Sequence, residues 1–136
     1  MPVTIEKKDQ ASLLSLARLT LLSLHSDADV VLQSYFATGM ELSNGMMESL
    51  PCFVTLYRKG QLRGCIGCLE SQTPLYQNVI EYTKHSALND PRFLAARLEE
   101  VSEFQIHITV LGPLVRLRNF DELTVGRHGL YVRHPL

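Results

Sequence analysis

An α+β fold is predicted by three features of the 136-residue sequence. Apolar residues recur at helical spacing in the first forty positions, strand-like runs begin at Cys52, and no regular βαβ alternation organises the chain. The length suits a single domain, 1–136. With 46% hydrophobic and 20% charged residues, the composition argues against both a disordered chain and a membrane protein. Thirteen Lys+Arg against 14 Asp+Glu leave a net charge of −1, without the basic excess that nucleic acid or an anionic membrane would favour. Three cysteines are an odd number and too few for a disulfide framework, which points to free thiols in a reducing, cytoplasmic setting.

The elements follow in order. The segment from Ala11 to Leu24 places Leu13, Leu16, Ala17 and Leu24 on one helical face, widened by Leu14, Leu19, Leu21 and Leu22. Serines, a threonine and Arg18 interrupt it, so it is too short and too polar to span a bilayer. A second helix is expected from Asp27 to Ala37, with Ser26 or Asp27 as N-cap and Gly39 near its end. Leu42-Ser43-Asn44-Gly45 reads as a turn or loop. Strands follow at Cys52 to Tyr57 and Leu62 to Leu69, joined at Lys59-Gly60. A helix should open at Pro74 with Thr73 as N-cap and stop before Asn89-Asp90-Pro91. After a short helical turn near Arg97 to Val101, Phe104 to Leu111 alternates as a strand, with His107 on the polar face. Gly112-Pro113 ends it, and Val115 to Leu117 and Leu130 to Val132 are further strand candidates.

The hairpin carries the most chemistry. If Lys59-Gly60 is a two-residue loop, Arg58 faces Gln61, Leu56 faces Arg63, Val54 faces Cys65 and Cys52 faces Gly67. One face then holds Cys52, Val54, Leu56, Arg63 and Cys65. The other, with Phe53, Thr55, Tyr57, Leu62, Ile66 and Cys68, is the more apolar and is expected to face the core. A guanidinium at Arg63 beside the Cys65 thiol would favour the thiolate. Gly64 and Gly67 within a strand imply a bulge or the close approach of another backbone or a ligand, and a bulge would exchange the two faces. A tightly packed hairpin with an inert Cys65 and a functional cleft both fit this pattern.

Cys65 and Cys68 form a C-x-x-C, but two ligands are half of what zinc requires, and the pair does not open a helix as redox motifs do. Neither a metal nor a cofactor is therefore expected. Asp90 and Arg92 flank Pro91 and serve either as a helix stop with local bonds or as one border of the cleft. His128 is a solvated turn residue or a general base.

The hexapeptide Leu62-Arg63-Gly64-Cys65-Ile66-Gly67 resembles the AMMECR family. The similarity continues through Phe53 to Leu56, Pro74-Leu75, Asp90-Pro91-Arg92-Phe93, Ile108 to Pro113, Gly126 and His128-Gly129-Leu130, about residues 10 to 132. The resemblance implies a curved or barrel-like, mixed but largely antiparallel sheet with helices packed on it, and a pocket lined by the Arg-Gly-Cys-Ile-Gly strand. It further implies association with a Memo-like protein and a radical-SAM protein, without a settled reaction. The family's domain normally continues past the His-Gly-Leu segment, so this chain is read as lacking a C-terminal strand and helix. Two classes of function follow. The first, slightly preferred, is an enzyme or modification-system component with Cys65 as reactive thiol and Arg63 as anion recogniser, Gly64, Gly67, Asp90, Arg92 and His128 completing the site. The alternative is a non-catalytic module that binds a small molecule or a protein partner.

Overall fold

The computed structural model describes residues 3–135. Helix α1, Lys7–Leu22, buries Leu13, Leu16, Ala17 and Leu21. Helix α2, Ala28–Ala37, begins at Asp27, whose carboxylate accepts the Val30 N–H and satisfies one of the unpaired donors of the first turn. Gly39, with φ +84°, follows its end. The expected turn at Leu42 to Gly45 is instead a short helix, α3, Asn44–Met47, because the Ser43 hydroxyl caps the Met46 N–H and Met46 drops into the core. Helix α4, Leu75–Leu88, starts one residue later than expected, with Pro74 rather than Thr73 at its N-cap, and ends before Asn89. A single turn, α5, Leu98–Val101, precedes the last strand.

Strands β1, Cys52–Arg58, β2, Gln61–Gly67, and β3, Phe104–Val110, form an antiparallel sheet in the order β2-β1-β3. The sheet is not closed into a barrel. Helix α4 packs against β1 and β2, and α1 against β3 and α4, so one helical layer covers one sheet face. Cys52, Val54 and Leu56 of β1, all fully buried, meet Leu75, Val79, Leu16 and Phe104 in a single core. Ile106, Ile108 and Val110 pack against that core, while Gln105, His107 and Thr109 point outward. Arg18 ties α1 to the α5–β3 junction, donating to the carbonyls of Val101 (3.1 Å) and Phe104 (2.6 Å).

The hairpin departs from its expected register. Lys59 and Gly60 have φ of +52° and +78°, both in the left-handed region that the favoured two-residue hairpin turn demands. Arg58 pairs with Gln61 and Tyr57 with Leu62, but Leu56 then pairs with Gly64. Arg63 is the extra residue of a bulge. Cys65 therefore faces Thr55, not Val54, and Gly67 faces Phe53, not Cys52. The core face is the one carrying Cys52, Val54 and Leu56, so the expected assignment of faces is reversed. Cys52 and Cys65 consequently lie on opposite sides of the sheet.

Beyond Val110 the described residues form no further strand. The candidates at Val115 to Leu117 and Leu130 to Val132 are irregular, and Val115, Leu130, Tyr131 and Val132 are exposed, with no neighbouring strand to pair. Among the described residues, no helix is long and apolar enough to cross a membrane.

Candidate functional site around Cys65

Strand β2 lies at the sheet edge, so its outer backbone groups need partners from outside the sheet. Two side chains bond this strand's backbone, Asp90 at the outer edge and Ser86 within the β1–β2 ladder. Asp90 Oδ2 accepts the Cys65 N–H at 2.9 Å, and Ser86 Oγ accepts the Ile66 N–H at 2.9 Å. The Ser86 hydroxyl also donates to the Val54 carbonyl at 2.7 Å, linking the two residues that face each other across the β1–β2 ladder. This intimacy between α4 and the hairpin explains Gly64. A Cβ there would lie 2.0 Å from the Ser86 carbonyl oxygen. At Gly67 a Cβ would fall 2.3 Å from the Cys52 carbonyl oxygen and 2.4 Å from the Phe53 ring. Both glycines thus admit neighbouring protein, one from a helix and one from a strand.

Asp90 is buried and follows α4 directly. Its carboxylate also receives Arg92, through Nε to Oδ1 (3.0 Å), Nη2 to Oδ2 (2.8 Å) and the Arg92 N–H to Oδ1 (3.1 Å). The Arg92 guanidinium outweighs burial and holds the Asp90 carboxyl well below the usual carboxylate range, with the Cys65 and Arg92 N–H groups adding to the effect. Arg92 itself remains 56% exposed at its side chain, fixed at one end and open at the other. Its Nη2 reaches the Cys65 carbonyl at 3.4 Å, and its guanidinium lies 5.5 Å from the Phe93 ring centre. Asp90 raises the Arg92 pKa against the opposing effect of burial.

The Cys65 thiol is half-buried on the outward sheet face, its Sγ 3.2 Å from Thr55 Oγ1. The bulge sends Arg63 elsewhere. Its Nε and Nη2 both bond Glu100, each at 3.1 Å, and Arg58 reaches the same carboxylate at 3.0 Å. Arg63, the Arg97 N–H and Arg58 hold Glu100 below its usual range against the effect of burial. The expected pairing of Arg63 with the Cys65 thiol is therefore replaced. Arg63 is spent on Glu100, and Arg92 is the cation bordering Cys65. His128 Nδ1 accepts the Thr124 N–H (3.0 Å) inside its own exposed turn.

The other thiols differ in kind. Cys52 is fully buried, and burial, reinforced by Cys68, pushes its pKa up to about 12. Tyr82 of α4 rises to about 12 as well, from burial and then from its hydrogen bond with Cys68. Among the described residues, no three His, Cys, Asp or Glu side chains are placed to hold one metal ion. Cavities of about 340 and 560 Å³ are lined by the N-terminal segment with α3 and by α1 with β3 respectively, and neither includes a residue of β2.

The sequence model of the AMMECR1 family matches residues 14–135. The chain belongs to the AMMECR1 family. A relative from Methanocaldococcus jannaschii is 30% identical over 126 residues, covering 87% of this chain and 59% of its own length. One from Aeropyrum pernix is 37% identical over 92 residues, covering 61% of this chain and 40% of its own. Among solved structures, an uncharacterised protein from Pyrococcus horikoshii is similar, with a TM-score of 0.56 and 31% identity over 74% of this chain and 50% of that one. This AMMECR1 chain spans about half the length of the relatives it matches.

Proposed function

We propose that this AMMECR1-family chain is a binding module, in which Cys65 is the ligand-contacting thiol and Arg92 the anion-recognising cation. The observation that carries this reading is the fixed, half-open guanidinium of Arg92, tethered by buried Asp90 beside the outward-facing Cys65. A preorganised arginine loses little freedom on meeting a carboxylate or phosphate, and its planar donors suit either group. The reading favours contact over nucleophilic catalysis, because the neighbour of the thiol is Thr55 and both Asp90 oxygens are already engaged by Arg92 and backbone N–H groups. Arg63, held by Glu100, lies 6.0 Å from the centre of the Phe93 ring that Arg92 also meets. We also propose a Memo-like protein and a radical-SAM protein as its pathway partners, and the cytoplasm as its location, which suits three free thiols.

Site-resolved alkylation tests the proposal. With iodoacetamide at neutral pH, Cys65 should label faster than Cys52 and Cys68 in the folded protein. Equal or slower labelling at Cys65 removes the thiol from the site.

A further inference from the structure

A second site lies away from the sheet edge. We infer that the cavity between the N-terminal segment, the first turn of α1 and α3 binds a protonated aliphatic amine. Asp9, in that first turn, lines the cavity and is only 7% exposed, and its carboxylate has no hydrogen-bond or ion-pair partner among the described residues. No buried side-chain oxygen among the described residues lacks a partner, so the Asp9 oxygens still meet solvent through the cavity, and this unpaired negative charge is open to a cation entering there.

The surroundings specify which cation. Glu6 and Glu48 line the same cavity of about 340 Å³, and among the described residues its lining contains no Lys or Arg. A bare divalent ion needs several oxygen ligands converging on one point. Among the described residues no three acidic, histidine or cysteine side chains do so. An ammonium group needs fewer fixed ligands and brings three donors, for which Asp9, Ser43 and Asn44 all offer oxygens along the cavity wall. Val3, Ile5 and Leu50 complete the lining and suit an alkyl chain. Among the described residues no aromatic side chain lines the cavity, which disfavours a quaternary ammonium, whose recognition relies on aromatic faces. Gly45 keeps the carboxylate accessible, since a Cβ there would stand 2.8 Å from Asp9 Oδ2.

The test is a ¹H–¹⁵N NMR titration of the whole chain with 1,4-diaminobutane and, separately, with Nα-acetyl-lysine methylamide. Saturable shifts at the Asp9 and Gly45 amides are expected with at least one of them. A response to the diamine alone identifies a free amine, and a response to the lysine derivative alone identifies a protein side chain. Asp9→Asn should weaken binding at least about tenfold, the loss of one charge-assisted bond. Gly45→Ala, which crowds the carboxylate without removing it, should weaken binding as well. Absence of saturable shifts with both amines overturns the inference. So does unchanged affinity in folded Asp9→Asn, or a response of these amides to Mg²⁺ but not to either amine.

Discussion

Replacing Gly64 by alanine tests the packing of α4 against the hairpin. The new Cβ would stand 2.0 Å from the Ser86 carbonyl oxygen and 2.9 Å from its carbon, whereas real Cβ contacts essentially never fall below 3.0 Å. Helix and strand must therefore separate by about 1 Å at this point. The obstacle is backbone at the end of α4, so no side-chain rotation relieves it. Separation also pulls Ser86 Oγ from the Ile66 N–H and the Val54 carbonyl, which it now meets at 2.9 and 2.7 Å. Overpacking costs roughly 1–3 kcal/mol, and each weakened hydrogen bond about 1 kcal/mol more. The expected loss is about 3–5 kcal/mol, a large part of the roughly 5–15 kcal/mol typical of a domain. Urea unfolding followed by far-UV circular dichroism reads this as a midpoint lowered by about 1.5–2 M or more, for a slope near 2 kcal/mol/M. Gly129→Ala, with nothing within 4 Å of its Cβ, is the control and should stay within about 0.5 kcal/mol of wild type. A Gly64→Ala loss below about 1 kcal/mol would refute the tight contact.

Asp90→Asn keeps the shape but removes the charge that holds Arg92 and the Cys65 N–H, and should cost about 2–4 kcal/mol in the same unfolding assay. The depressed Asp90 pKa also gives a sign in pH: its contribution is complete above the ordinary aspartate pKa and is lost as pH falls through the folded value, so acid unfolding of Asp90→Asn should be flatter than wild type. At the alkaline end, Cys52 and Tyr82 hold their protons to about pH 12 when folded, against ordinary values of about 8.5 and 10. Their contribution is complete below those ordinary values and falls as pH rises toward 12, so Cys52→Val, titrated by circular dichroism, should lose less stability than wild type between about pH 9 and 12. Glu100→Ala leaves mostly buried Arg63 without its partner and should destabilise by about 2–4 kcal/mol, whereas Glu103→Ala, at a more exposed pair, should destabilise clearly less in the same assay.

Much of this architecture was legible in the residues, and the failures have local causes. Alternation in Phe104 to Val110 and the cap at Asp27 located β3 and α2, because both signals are local. Lys59-Gly60 located the hairpin turn, yet nothing in the sequence marks Arg63 as the bulged residue. Both sets of β1 side chains contain apolar residues, so hydrophobicity alone did not distinguish Cys52, Val54 and Leu56 from Phe53, Thr55 and Tyr57 as the inner set. The bulge reversed that choice. Gly64 signalled a close approach, but its partner, the Ser86 backbone, is 22 positions away in the sequence and was not foreseeable. The same distance problem hid Glu100, 37 residues from Arg63, and so put Arg63 in the position beside Cys65 where Arg92 lies. Cys65, Asp90 and Arg92 were all selected from sequence as candidates, and the fold gathers these three. His128 bonds within its own turn. Asp9 carries no local signal in the sequence, because its burial depends on α3 and the N-terminal segment.

The most direct test of the proposed site compares an anionic with a neutral alkylating reagent at Cys65. The ratio of iodoacetate to iodoacetamide rates, measured by mass spectrometry, reports the cation beside the thiol independently of exposure. The Arg92 assignment predicts a higher ratio at Cys65 than at Cys68, and a fall to the Cys68 value in Arg92→Gln with Asp90 intact. A ratio at Cys65 that ignores Arg92→Gln but falls in Arg63→Gln would contradict it.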